Sequence, residues 1–233
     1  MSKIKFLSLV LIFVSFKIYA LVPYKAVYDL YADTNLGNYN IGIADFILKV
    51  RDDEYTYSNN AKTKSMWSAL YKFSRYEKST GINTYNQFIS STYSISEQLG
   101  DNTEKNIQID FFPEKNYATY NNKKKWKIAP GTLVDELSVY LALSQDIQNN
   151  PSIKKFTYQV ALEDKVKFQT FFITGLESIN LNDNLIETII VSCPDLNLTL
   201  KLSKEHNFLP VYISKVNKKN NFIMVLSSFE LTS

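Results

Sequence analysis

With 233 residues, 45% of them hydrophobic, and a formal charge of +3, the chain is long enough to bury a sizeable core in one domain. So small a charge gives no electrostatic case for nucleic acid or an anionic membrane surface as a partner. One cysteine, Cys193, excludes an internal disulfide, one cysteine with one histidine, His206, falls short of the usual zinc set, and the six glycines hold no phosphate-cradling spacing.

The chain opens with MSKIK and the apolar run FLSLVLIFVSF, which has the length of a signal-peptide core and is too short for an ordinary membrane anchor. The expectation is a leader over residues 1–20, cleaved after Ala20 in KIYA, and export, a bacterial periplasm being the destination. Removing Lys3, Lys5 and Lys17 with it lowers the 26 basic residues to 23, equal to the 23 acidic ones. Cys193 does not follow the cut, so a lipid anchor is not expected, and no membrane segment is expected after cleavage.

Residues 21–233 read as a single β-rich domain. In VPYKAVYDLYA, Tyr24, Ala26, Tyr28 and Leu30 share one face; in IGIADFILKV, Ala44, Phe46, Leu48 and Val50 do the same. DTNLGNYN between them supplies turn residues and lacks the glycine and glutamate positions of a calcium loop. EYTYSNNAKTKSMW places Tyr55, Tyr57, Ala61 and Trp67 in phase. Further strands are expected around Ile95, over 107–112, and in YATY and KKWKI. KFTYQVAL and KVKFQTFFI flank a turn at Glu163-Asp164, and LIETIIVSC, LNLTLKLS, LPVYISKV and NFIMVLSSFEL complete the series. The basic runs at 123–125 and Lys218-Lys219 read as solvated turn tips, and Glu97, Asp101, Glu163 and Asp164 as solvated turn carboxylates. Roughly a dozen short strands predict a mainly β fold, a curled antiparallel sheet forming a barrel or half-barrel, closed by one substantial helix.

That helix is expected in GTLVDELSVYLAL, from Gly131. Thr132 stands three before Asp135, the spacing of a capping box, and Val134, Leu137, Tyr140 and Leu141 recur at helical spacing before QNNPS stops the run. Asp135 and Ser138 also raise the question of a hydrolase. A serine nucleophile needs a base and oxyanion donors, His206 lies between two distant strands, and no Gly-x-Ser-x-Gly elbow exists, so catalytic residues, metals and cofactors are not expected.

The order of PYKAVYDLY, IGIADFIL, YTYSNNAKT, DELS (Asp135 to Ser138), GLESIN and LTLKLSKEHNFLPVYISK resembles a bacterial exported family catalogued as domain of unknown function 3108. Leu200 and Leu202 depart from it, standing where an aromatic residue is expected. The family has no established activity, so the resemblance implies no catalytic residues. By fold analogy, a curled sheet closed by a helix looks like the lipoprotein carriers of the bacterial envelope. The expectation is therefore a non-enzymatic periplasmic protein that binds an apolar ligand, lipid or lipid-bearing partner on the concave sheet face. Its candidate lining is Tyr28, Phe46, Tyr57, Trp67, Trp126, Leu137 and Leu141, although any one of the five aromatic residues more often simply fills a core. The alternative is an envelope assembly factor working through protein contacts.

Overall fold

The computed structural model describes residues 21–34, 37–68, 72–84, 87–101, 103–216 and 221–232; the expected leader and the Lys218-Lys219 turn lie outside them. Period-two alternation becomes strand throughout. β1 (Tyr24–Thr34), β2 (Gly37–Arg51) and β3 (Glu54–Thr63) form an antiparallel meander. After the short helix α1 (Ser65–Ser68) it continues through β4 (Phe73–Thr84), β5 (Gln87–Leu99), β6 (Thr103–Phe112), β7 (Tyr117–Tyr120) and β8 (Lys124–Lys127). Then come β9 (Leu133–Asp135), the helix α2 (Val139–Asn149) and β10 (Lys155–Ala161), followed by β11 (Val166–Leu181), β12 (Asn184–Cys193), β13 (Leu198–Ser203), β14 (Leu209–Val216) and β15 (Asn221–Leu231).

Twelve strands close on themselves in the order β4-β3-β2-β1-β15-β14-β13-β12-β11-β10-β9-β5, with β4 also paired to β5. Closure removes the unpaired edges that an open sheet would expose. The seam is β9, which runs parallel to β10 from Leu133↔Gln159 to Asp135↔Ala161 and meets β5 through the parallel bridge Ile89↔Leu133. The other half of β5 pairs with β6 instead, and β6, β7 and β8 carry the sheet past the seam. Gln159 takes the Ala129 N–H at 2.7 Å and donates to the Ala129 carbonyl at 2.7 Å, so the chain after β8 is clamped onto β10. The free edge is β8, KKWK, whose exposed lysines oppose edge-to-edge pairing. Lys124 and Lys125 are thus strand residues, and only Lys123 of that run sits in the turn.

Three strand connections share one device. PEKN, PDLN and KEHN each form a single 3-10 turn ended by an asparagine in the left-handed region, Asn116, Asn197 and Asn207 at φ 54°, 49° and 53°. Asparagine tolerates that conformation better than other side chains with a Cβ.

Helix α2 buries Val139, Leu141, Ala142, Leu143, Ser144 and Ile147, more than one stripe, and packs against β9, β10 and β14. Burial contributes about 1.5–3 kcal/mol for each of Leu141, Leu143 and Ile147. Its C-terminal half is tied down by Ser144 Oγ donating to the Phe208 carbonyl (2.7 Å), Gln148 Nε2 to the Asn207 carbonyl (2.8 Å) and Tyr158 OH to Asp146 (2.6 Å).

The helix does not begin where the sequence places it. Leu133–Asp135 is strand, Thr132 precedes that strand and caps nothing, and Asp135 is not the third residue of a helix. A reciprocal box forms three residues later. Asp135 Oδ1 accepts the Ser138 N–H at 2.8 Å, and Ser138 Oγ accepts the Asp135 N–H at 3.0 Å, with α2 following directly. The parallel pairing of Leu133 to Asp135 with β10 takes those backbone groups away from a helix.

Candidate functional site

The interior has an apolar part and a polar part. Tyr28, Phe46 and Tyr57 project inward from β1, β2 and β3 and are 1%, 2% and 1% exposed. The Tyr28 and Phe46 rings meet edge-on at 5.0 Å, Phe46 and Tyr57 at 5.8 Å. The Tyr28 hydroxyl donates to the Pro210 carbonyl (2.7 Å), and the Tyr57 hydroxyl accepts from Tyr24 OH (3.0 Å). Burial pushes both Tyr28 and Tyr57 well above the usual phenol range.

The polar part centres on Asp135, which is fully buried. Its Oδ2 accepts from Ser79 Oγ (2.6 Å) and Ser90 Oγ (2.7 Å), its Oδ1 from the N–H groups of Leu137 (3.0 Å) and Ser138 (2.8 Å). Tyr55 OH lies 3.2 Å from both serines, and Ser90 Oγ is 2.9 Å from Ser138 Oγ. Burial raises the Asp135 carboxyl despite these donors. The knot ties β3, β4 and β5 to the seam strand and to the start of α2. Ser138 Oγ faces the Ser90 hydroxyl and the Asp135 N–H, while His206 Nδ1 is paired with Ser203 Oγ at 3.0 Å, so the arrangement is that of a structural lock.

Beside it runs an ion network. Arg75 reaches Glu77 (2.9 Å), Glu97 (2.7 Å) and Glu163 (2.8 Å), and Lys105 pairs with Glu163. Glu77, 8% exposed, also accepts from Tyr93 OH (2.5 Å) and Asn59 Nδ2 (2.9 Å). Burial works to raise Glu77, but the charge and hydrogen bonds of Arg75 win and hold it below the ordinary carboxylate range. Glu97 and Glu163 are therefore network members and not solvated turn carboxylates: Glu97 is on β5, and Glu163, in the β10–β11 turn, points back to β4 and β6.

Glu136, between the knot and the helix, is different. No hydrogen bond or ion pair reaches its carboxylate among the described residues. Burial raises it to about 7, with Lys215 opposing, Glu77 and Glu163 adding, and Arg75 opposing. One turn on, burial raises the Tyr140 phenol, with Glu77 and Glu136 adding and Arg75 opposing. Tyr140 packs, partly buried, against the same core cluster.

Residues 27–227 match the family model described as a protein of unknown function, DUF3108. The chain belongs to the DUF3108 family. No match was found among curated proteins. Among solved structures it is similar to the β-barrel-like protein of domain of unknown function DUF1849 from Brucella abortus, at 11% identity and a TM-score of 0.57, covering 91% of this chain and 99% of that one. At that identity the likeness concerns the fold alone.

In this DUF3108 chain, five of the expected lining residues come together: Tyr28, Phe46, Tyr57, Leu137 and Leu141 all belong to one buried cluster. Trp67 does not join them. β3 ends at Thr63, so Trp67 falls on α1 and stacks edgewise on Tyr39 at 5.7 Å. Trp126, on β8, is partly buried and packs against the edge of that cluster, its ring 5.4 Å from Tyr120. Cys193 is buried, its thiol raised by burial. Of two grooves, the one of about 360 Å³, with Asn60, Ser74, Tyr76, Ser96 and Gln98, lies on the outer face and is mostly polar, and the one of about 410 Å³, beside Val50, Tyr55 and Ile82, is about as apolar as polar. No helix among the described residues is long and apolar enough to cross a membrane, and no group of three or more His, Cys, Asp or Glu among them is placed to hold a metal ion.

Sequence reasoning missed Arg75, Glu77, Ser79, Ser90, Tyr93 and Asn59. A signal existed: in β4, FSRYEKSTGINT, the phase that turns inward is Arg75, Glu77, Ser79 and Gly81, while Tyr76 is 45% exposed. Polar residues in the inward phase mark an interior built for hydrogen bonding.

Proposed function

We propose that this protein is exported and acts without catalysis, binding an apolar or lipid-like ligand in the barrel interior alongside α2. One observation supports the reading: the sheet closes on itself, and Tyr28, Phe46 and Tyr57 of its strands share one apolar cluster with Leu137 and with Leu141 of α2. Burying ten methylenes contributes about 8 kcal/mol, against an association cost of at least about 4 kcal/mol, so one acyl chain is enough for useful affinity. Export rests on the MSKIK and FLSLVLIFVSF pattern of the first residues.

Lipid extraction and mass spectrometry of protein purified from the cell envelope should recover a long-chain species, and the emptied protein should take up a fluorescent fatty acid. A ligand-free spectrum with no uptake would overturn the reading. Recovery of the protein only from the cytosol would overturn export. A second reading, an envelope assembly factor, draws on Leu176 and Leu185, 64% and 76% exposed on the neighbouring strands β11 and β12. It predicts a reproducible crosslinked protein partner in cells.

A further inference from the structure

Among the described residues the sheet keeps one free edge. Closure at the seam gives every strand of the ring a neighbour on both sides, yet β6, β7 and β8 continue past it and stop at β8. The phase of the β7–β8 ladder says which groups face out. The Ile128 N–H donates to the Asn116 carbonyl at 3.1 Å, so the alternation of an antiparallel pair ties Ala118 to Trp126 and Tyr120 to Lys124. The N–H and C=O groups of Lys125 and Lys127 are thereby turned to the open side. Both ends of the hairpin are fixed. Asn121 bonds Gln108 through its N–H and through its side-chain oxygen, both at 2.7 Å, and Gln159 clamps Ala129. The edge is therefore preformed, and a strand added to it requires little ordering on this side.

Charge decides what such a strand carries. Lys123, Lys124, Lys125 and Lys127 are all exposed, and none has an acid within ion-pair distance among the described residues. They oppose pairing with a second copy of β8 and favour an acidic partner. Lys125 and Lys127 share a face with Tyr117, over whose ring the Lys125 Nζ lies at 3.6 Å, while the partly buried Trp126 is on the other face. A matching strand has carboxylates on one face and apolar side chains on the other, at alternate positions.

We propose that β8 receives, as an added strand, an extended segment of another protein in which acidic and apolar residues alternate. This goes beyond the proposed function and does not rest on a ligand in the interior. The lysines supply the selectivity, and the outward backbone groups of Lys125 and Lys127 supply the register.

The test is fluorescence anisotropy of a labelled peptide of alternating glutamate and valine, titrated with the purified protein at neutral pH and low salt. Its lysine and valine counterpart, and a form N-methylated along its centre, are measured beside it. The glutamate peptide should bind about tenfold more tightly than either, the size of a few charge-assisted and main-chain hydrogen bonds. Lys125→Glu combined with Lys127→Glu should reverse the preference between the two charges. Amide hydrogen exchange read by NMR should slow at Lys125 and Lys127 when the glutamate peptide binds. Equal binding of the N-methylated form, or no slowing at those two amides, makes the contact one of charge alone and overturns the added strand. No binding of the glutamate peptide overturns it as well, and binding to anionic phospholipid vesicles in its place would assign the lysines to a membrane surface. Circular dichroism checks that the double variant is folded; if it is not, the N-methylated peptide and the two amides decide on the wild type alone.

Discussion

Replacing Asp135 by alanine should cost about 3–5 kcal/mol, which is a large part of the about 5–15 kcal/mol available to a folded domain. The carboxylate accepts four hydrogen bonds in a fully buried setting. Ser79 and Ser90 can turn toward Tyr55 and Ser138, so their loss is partly made good. The N–H groups of Leu137 and Ser138 cannot turn, and each buried orphan costs about 1–3 kcal/mol. Urea unfolding at pH 7, followed by far-UV circular dichroism and tyrosine fluorescence, measures the change. Thr132→Ala is the control: the capping box expected from sequence puts its cost at about 1 kcal/mol, whereas the structure puts it within about 0.5 kcal/mol of zero. Asp135→Asn adds a sign. Burial raises the folded-state value of Asp135 above its unfolded one, so its stabilising protonation is fully present below the unfolded value and is lost as pH rises through the folded one. The advantage of wild type over Asp135→Asn should therefore shrink as pH rises. An Asp135→Ala loss under about 1 kcal/mol, or a Thr132→Ala loss as large as it, would refute the lock.

Glu136→Gln should be close to wild type in stability at pH 4 and more stable at pH 8.5, by about 1–2 kcal/mol, because the rise from 4.5 to about 7 means that ionising this half-buried carboxyl opposes folding; urea titrations at the two pH values measure it, and a pH-independent difference would contradict it. Arg75→Met leaves Glu77 buried without its cation and should cost about 3–5 kcal/mol at pH 7, with less lost at pH 4, where Glu77 can take a proton; the thermal midpoint across pH reports this. Gly81→Ala should cost about 1–3 kcal/mol or more, since a Cβ there would stand 2.2 Å from the Ile89 carbonyl oxygen beside the seam, and wild-type stability on urea unfolding would show that β4 and β5 are not so close.

Much of the fold was legible because strand alternation is local. Tyr24 to Leu30 and Ala44 to Leu48 show their inward phase in a ten-residue window, and burial follows that phase. Trp67 was misplaced because alternation has no memory of where a strand ends: Thr63 is the last paired residue, and nothing in TKSMW says so. The helix start failed for a related reason. T-x-x-D and D-x-x-S are overlapping caps of similar local merit, and the choice fell to β10, which draws Leu133–Asp135 into strand pairing from more than twenty residues away.

The sequence by itself determined the class, the inward faces of most strands, the presence of one substantial helix near Tyr140 and the place of Cys193 at a strand end, since each follows from periodicity or composition within a short stretch. Only the tertiary structure decided that the sheet closes at Ile89 and Leu133, and that Arg75, Glu77, Glu97 and Glu163 form one network across up to 88 residues of chain. It also decided that, among the described residues, the Asn59 side-chain Oδ1 is buried without a partner. Those properties belong to distances between segments remote in sequence, and the free energy of a charge depends on what surrounds it in space.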